Sequence, residues 1–582
     1  MKKYLFIALA AFGFAACADK LDDTKSPAHN GEVEESYIAI NLMAADVDSR
    51  AEDNEGAFEY GTAAERAIKT AYFFFFDENG KPFNVMGAPA TAPGGSKNHL
   101  PLDITPFTSN DAQPVENVSD ISNAVLILNT YKGVYPSKIV AVLNWIPEDK
   151  TYTLEDLHGI DSELVSKIEG VDYYVMSNSV YMDGANKMVD AVPLTTDNIK
   201  KSSEEALAAP VQIYVERVAA KVVLTAGGKV EGTTNIFNTD KEPSLIASLD
   251  QLNTTPVYVQ LLGWELYNDY NKSYLVKNID TAWTYASLGL NWNDYFNFRC
   301  YWATSLDDDH NDSFYWKYEE ENQLANGFKT EYGFAVASAA DYTDANTYTY
   351  CGENTNGATL RTKVILKGQL VKADAAAQSG YSALELASWY GNEYAGEENL
   401  KIAVANSLAN TLYHSTDNIT YTPINKDDIV CDEDIDGIKS YQTGFRLSDA
   451  GKAKTWYLYS SEGGHQRFGE LDVEGSNTTA TNAYLATKVQ PAIIYRNGMT
   501  YYMVDVEHFG AAGTTAEYGV VRNHVYQIDI NKIKGYGSPV YSGFDFIVEN
   551  PEYPEKFDDT YVAAKINVLS WKVVKQSVDI VQ

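Results

Sequence analysis

Short runs of β-branched and aromatic residues, each closed by turn formers, recur along this chain and restrict its fold more than any other feature. Ala71–Phe76 runs straight into Asp77-Glu-Asn-Gly80, a strand entering a turn, and Lys138–Trp145 is a strand rich in β-branched residues. Val171–Tyr181, Val211–Val215 and Val218–Leu224 continue the series, followed by Val257–Tyr267, Ser273–Ile279, Thr347–Cys351, Leu360–Val371, Thr455–Tyr459, Thr500–Val506 and His524–Ile530. Helical windows are few: Ala63–Lys69, Leu154–Ile168, Ser202–Ala208 and Ala383–Tyr390. The expectation is an all-β chain of β-sandwiches with a few surface helices and long loops, the polar stretches 303–345, 391–440 and 461–482 being the loops. The 42 tyrosines against 22 phenylalanines suit half-buried strands whose hydroxyls reach water.

The first residues set the compartment. Lys2 and Lys3 precede an apolar run, Leu5–Phe14, that is too short for a permanent membrane span, and the run closes on Phe14-Ala-Ala-Cys17. This reads as a lipoprotein signal peptide over 1–17, with Cys17 as the lipidated residue, and the polar residues after it read as a tether. A chain of 582 residues exceeds one core, and a break falls near Glu216-Arg217, where one apolar strand ends and another begins at once. The expected units are 18–50 (tether and first strand), 51–216 and 217–549 (two sandwiches), and 550–582 (spacer and terminal strands). A formal charge of −35 repels phosphate backbones and excludes nucleic acid as a partner.

Both ends of the folded part alternate. Ser36–Met43 places Ile38, Ile40 and Leu42 on one face and leads into an acidic segment that holds a lone basic residue, Arg50, followed by Ala51. At the other end Val562, Ala564, Ile566 and Val568 share a face, Ser570 turns, and a second strand carries Trp571, Val573, Val578 and Ile580. The Pro-containing spacer 550–560 gives these strands reach, although a hairpin folded back on its own sandwich fits the spacing equally well.

Several segments together resemble the fimbrillin superfamily, the type V pilins of Bacteroidales, and most closely its Mfa-type major subunits. They are the lipobox at Cys17; Ala71–Asp77; Tyr173-Tyr-Val-Met-Ser-Asn178; Val215-Glu-Arg-Val-Ala-Ala-Lys-Val222; Tyr350-Cys-Gly-Glu-Asn-Thr355; Tyr518–Tyr526 running into Ile533–Pro539; and the tail around Trp571. The resemblance implies two transthyretin-like sandwiches and a structural subunit of a cell-surface fimbria that polymerises by donor-strand exchange and supports adhesion. It implies a lipidated precursor on the outer membrane, cleaved between Arg50 and Ala51 by an outer-surface Arg-specific protease. The strand bearing Ile38, Ile40 and Leu42 then leaves, and the tail of the next copy, Val562 to Ile580, replaces it in an extracellular fimbrium that also holds accessory subunits. Two other readings stand beside this one: a surface glycan-binding lipoprotein, and an anchor or tip subunit of the same fimbria.

The remaining chemistry is sparse. Asp432, Asp434 and Asp436 with Gly437 have the spacing of the first half of a calcium loop, but the twelfth position is Thr443 instead of a bidentate Glu, so an acidic solvated loop is preferred and no cofactor is expected. Once Cys17 is set aside, Cys300, Cys351 and Cys431 allow at most one disulfide, with the pairing open. The eight histidines form no H-x-x-x-H pair, and no nucleophile elbow or phosphate loop occurs, so no enzyme activity is expected.

Overall fold

The computed structural model describes residues 33–44, 62–85, 97–103, 121–131, most of 134–226, 236–238, 244–247, most of 252–278, 303–306, most of 347–539, 561–569 and 574–575. Strands in several mostly antiparallel sheets dominate, with few helices.

The first sheet has eight strands. Its main path uses β1 (Val33–Ala44), β2 (Thr70–Phe76), β3 (His99–Asp103), β4 (Ile121–Tyr131), β5 (Lys138–Leu143), β6 (Met176–Asn178) and β7 (Val211–Arg217), in the order β3-β2-β5-β6-β7-β1-β4. The Ala71–Phe76 run is apolar without a break because both faces of β2 are covered. Phe73 and Phe75 point into one core with Ile38, Leu126, Leu128, Ile139 and Ile213, and Phe74 and Phe76 into a second with Tyr152, Leu157, Val218 and Leu275. Because Leu126 and Leu128 of the last strand share a core with Phe73 and Phe75 near the other end, the sheet wraps around its own inner face.

Only Val218 and Ala219, both fully buried, separate β7 from β8 (Ala220–Ala226), which opens the next sheet. With β9 (Tyr258–Tyr267), β10 (Tyr348–Cys351), β11 (Lys363–Ala373), β12 (Met499–Asp505), β13 (Val525–Lys534) and β14 (Tyr561–Leu569) it builds two sheets that pack face to face. One runs β10-β8-β13-β14 and ends on the short strand Val574–Lys575. The other has β9, β11 and β12 as its centre. Val222, Leu224, Trp264, Leu366, Tyr502, Val504, Tyr526 and Ile528 fill the space between them.

Between β11 and β12 the structure departs from the sequence expectation. The stretches read as loops over 391–440 and 461–482 hold α1 (Gly396–Leu408), the first half of α2 (Asn477–Lys488) and several strands, which help enclose a separate core. Leu400, Val404 and Leu408 lie four residues apart along α1 and all face that core, with Trp456 and Leu485 opposite. Ala383–Tyr390 is a strand at Leu386–Trp389 instead of a helix, because it pairs with Ile493–Tyr495. The helix at Leu154 stops at His158, capped by Gly159, and two short strands take the rest of that window.

Candidate functional site

β1 occupies an interior position. Ile40–Ala44 pair in parallel with Val211–Val215 of β7, and Val33–Met43 pair antiparallel with Tyr131–Ile121 of β4. Among the described residues β4 has no other strand partner, so β1 alone joins it to the sheet. Ile38 is fully buried, and Ile40 and Leu42 stand opposite Ala124 and Ser122 of β4 in register. Taking β1 away would leave two facing strand edges with unpaired N–H and C=O groups.

β14 lies beyond β13, near the end of its sheet. Val562, Ala564, Ile566 and Val568 stand opposite Ile533, Ile530, Ile528 and Tyr526, with a register shift at Ile530/Lys532, and Val574–Lys575 turns back on Asn567–Val568. The tail therefore folds back on its own molecule, the arrangement the sequence left open. Trp571, Val573, Val578, Ile580, Cys17, Arg50 and Ala51 lie outside the described residues, as does Cys300.

A charged seam that sequence reasoning did not foresee joins the two halves. Thr62 caps a one-turn helix, Ala63–Arg66, and Glu65 closes the capping box while turning its other carboxylate oxygen to Lys221 Nζ at 3.1 Å. The Tyr350 hydroxyl donates to the same oxygen. Burial would raise the Glu65 pKa, but Lys221, the Tyr350 hydroxyl and the Thr62 N–H outweigh it and hold the carboxyl low. Arg217 Nε donates to the Glu65 carbonyl at 2.6 Å, and its Nη1 donates to Asn523 Oδ1 at 3.2 Å. On the other side of β7, Ser179 Oγ donates to Glu216, whose second oxygen faces Lys277 Nζ at 3.3 Å, off the hydrogen-bonding direction. Burial pushes the Glu216 pKa up despite Lys277 and Arg522. Arg522 in turn pairs with Glu353 at 3.0 Å and donates to the Tyr274 carbonyl at 2.7 Å.

The other candidates are placed separately. Asp432 pairs with Arg446 at 2.9 Å and accepts the Asp434 N–H, Arg446 also donates to the Asp434 carbonyl, and Gly437 turns with φ +87°. Among the described residues no group of three or more His, Cys, Asp or Glu is arranged to hold a metal ion. Cys351 is a buried free thiol and Cys431 a half-buried one. A polar cleft of about 770 Å³ is lined by Asn79, Lys81, Glu155, His158, Asp190 and Tyr274, among others.

Residues 493–577 match the family model for the C-terminal part of the type IV major fimbrial subunit protein, fimbrillin. The matched segment runs from the end of the inserted unit through β12, β13 and β14. A cell adhesion protein of Parabacteroides distasonis, described as putative, is 12% identical over 94% of this chain and 98% of its own, with a TM-score of 0.35. A fimbrillin (FimA) of Porphyromonas gingivalis is 13% identical over 94% and 98%, with a TM-score of 0.33. The tip fimbrial protein Mfa3 of the same organism, truncated at its C-terminus, is 11% identical over 92% and 100%, with a TM-score of 0.27. No curated protein matches the chain.

Proposed function

From the match of residues 493–577 to the fimbrillin C-terminal model, we propose that this chain is the stalk subunit of a cell-surface fimbria and assembles by exchanging its first strand for the tail of the next copy. It is a structural protein, not an enzyme. The observation that carries the assembly reading is the place of β1, interior to its sheet and the sole strand partner of β4 among the described residues.

The steps follow from strand chemistry. The precursor, anchored through lipid on Cys17, keeps its groove filled by β1, which blocks pairing with neighbours. Cleavage after Arg50 cuts the chain between β1 and the rest of the sheet, so β1 is held by pairing alone and can leave. The groove between β7 and β4 then takes the Val562–Val568 strand of another copy, backed by the Trp571–Ile580 strand. Backbone pairing gives the joint its direction, and about four or five apolar side chains at roughly 1.5–3 kcal/mol each give it lifetime. Acceptor (51–216) and donor (550–582) are different surfaces, so the contact repeats into an open filament. Accessory subunits would anchor and end the fibre.

Electron microscopy before and after limited digestion at Arg50 tests this. Wild-type protein should pass from monomers to filaments, whereas Arg50→Ala and a chain ended at Asp559 should stay monomeric; normal filaments from both variants would refute the reading. A glycan-binding role is the second reading, favoured by the polar cleft beside His158 and Asp190, and predicts a monomer that binds polysaccharide whether or not it is cut.

A further inference from the structure

Two β units joined within one chain commonly move against each other, since such interfaces are modest and linkers are flexible. Here the junction has no linker. β7 passes to β8 through two fully buried residues, and backbone bonds clamp the crossing: Val218 N–H to Val175 O at 3.0 Å, Asn523 N–H to Ala219 O at 2.7 Å, and Lys221 N–H to His524 O at 2.9 Å.

The charges around the crossing are arranged in two sets. Glu216 and Arg217 are consecutive strand residues and so point to opposite sides. Arg217 lies with Glu65, Lys221, Tyr350 and Asn523, and Glu216 with Ser179, Lys277, Arg522 and Glu353. In the first set Glu65 and Arg217 come from the first half and Lys221, Tyr350 and Asn523 from the second. In the second set Glu216 and Ser179 face Lys277, with Arg522 and Glu353 behind. Bending the halves apart in either direction would separate buried opposite charges with no water to replace the partner, which is strongly disfavoured. Neutral packing alone would resist sliding much less directionally.

The ends of this seam run into the two strands that partner the assembly strands. β7, which ends in Glu216-Arg217, is the parallel partner of β1 and hence one wall of the groove. Arg522-Asn523-His524 lead directly into β13, the partner of β14. We infer that the buried charged seam is a tension-carrying joint: it makes the two halves one stiff body and passes pull from the strand received beside β7 to the half whose tail is donated. The inference rests on the assembly reading for its load and on the structure for its stiffness, and the two can fail separately.

The test replaces one ion pair by apolar residues of similar size, Glu65→Leu with Lys221→Met, which removes both charges together and leaves neither buried alone. A milder variant, Arg217→Lys, keeps the charge but cannot bond both Glu65 and Asn523. It serves if the double variant fails to fold. Filaments of each are sheared by graded sonication and measured by electron microscopy, and uncut monomers are compared by small-angle scattering. Variant filaments should form but break to at most half the wild-type median length, and variant monomers should show a broader distance distribution. Equal lengths and equal distributions for both variants would overturn the joint, as would a wild-type monomer that already flexes. If wild-type protein makes no filaments, the assembly reading falls, and the scattering comparison still decides whether the seam stiffens the chain.

Discussion

β1 and β14 are both terminal, alternating and apolar, yet they are held in opposite ways. β1 has neighbours on both sides, and a second strand depends on it; β14 has one long partner and a two-residue return. A strand between two long partners is costly to remove and leaves a defined slot, whereas a strand with one long partner near the end of its sheet can peel away with the remainder intact. Under the assembly proposed above, the slot would lie at one end of the chain and the donated strand at the other. On the proposed assembly, the same difference would keep an uncut chain monomeric, because a donated tail would find no open slot while β1 is in place.

The largest test of this contrast is removal. Cutting after Arg50 under mild denaturant to release β1 should lower the melting temperature of the 51–216 half far more than ending the chain at Asp559 lowers that of the other half. A synthetic 561–582 peptide in excess should restore the loss, by about 2.7 kcal/mol at a hundredfold excess over its Kd. If truncating the tail proves the more damaging of the two, the interior and edge roles are reversed.

Single side chains should repeat the pattern at a smaller scale. Ile38 is fully buried among Leu126, Leu128 and Ile213, so Ile38→Ala should destabilise the uncut chain by about 2–5 kcal/mol. Ile566→Ala on β14, which has one long partner and a two-residue return, should cost the monomer less than Ile38→Ala does. The same Ile566→Ala change should shorten filament lifetime, because in the assembled state that strand would become interior. Urea melts of the monomer and dissociation of preformed filaments measure the two effects.

The sequence made the strands visible and left their neighbours hidden. Ala71–Phe76 announces a strand through its composition, but that Phe73 and Phe75 serve one core while Phe74 and Phe76 serve another depends on what packs above and below. Ile38, Ile40 and Leu42 could be read as a strand from alternation alone, and their interior place could not, since β7 and β4 are distant in sequence. The seam left no local signal: Glu65 and Lys221 are 156 residues apart, and Arg217 and Asn523 are 306 apart. α1 was legible in principle, as Leu400, Val404 and Leu408 keep a helical spacing, but Gly396, Glu397, Glu398 and the asparagines around them give the segment a loop-like composition. The Leu154 window was misread because Gly159 ends the helix one turn after it starts.

The smallest expected effect separates the two halves by pH. On β9, burial and the neighbouring Asp269 push the Glu265 carboxyl up to about 7, and burial pushes Asp269 up to about 6. A carboxyl whose folded pKa is raised favours the folded state while it stays protonated. The contribution is full below the ordinary values, 4.5 for Glu265 and 3.8 for Asp269, and is lost as pH rises through about 6 to 7. Acidifying from pH 8 to 5 should therefore tighten the β9–β11 region by an amount that shows as a few degrees in its melt. Over the same range Glu65, held low, stays ionised, so the Lys221 side of the seam should not respond. Glu216 is raised as well and is the group that would carry the response toward β7. Hydrogen exchange corrected for intrinsic rate reads each strand separately: protection at β9 should rise on acidification in the wild type and rise less in Glu265→Gln, where Asp269 alone titrates, while any change at β1 should be the same in both. A β1 response that shrinks in the Glu265→Gln chain would mean that the groove strand answers to the β9 pair, and that the two regions are not independent in the uncut monomer.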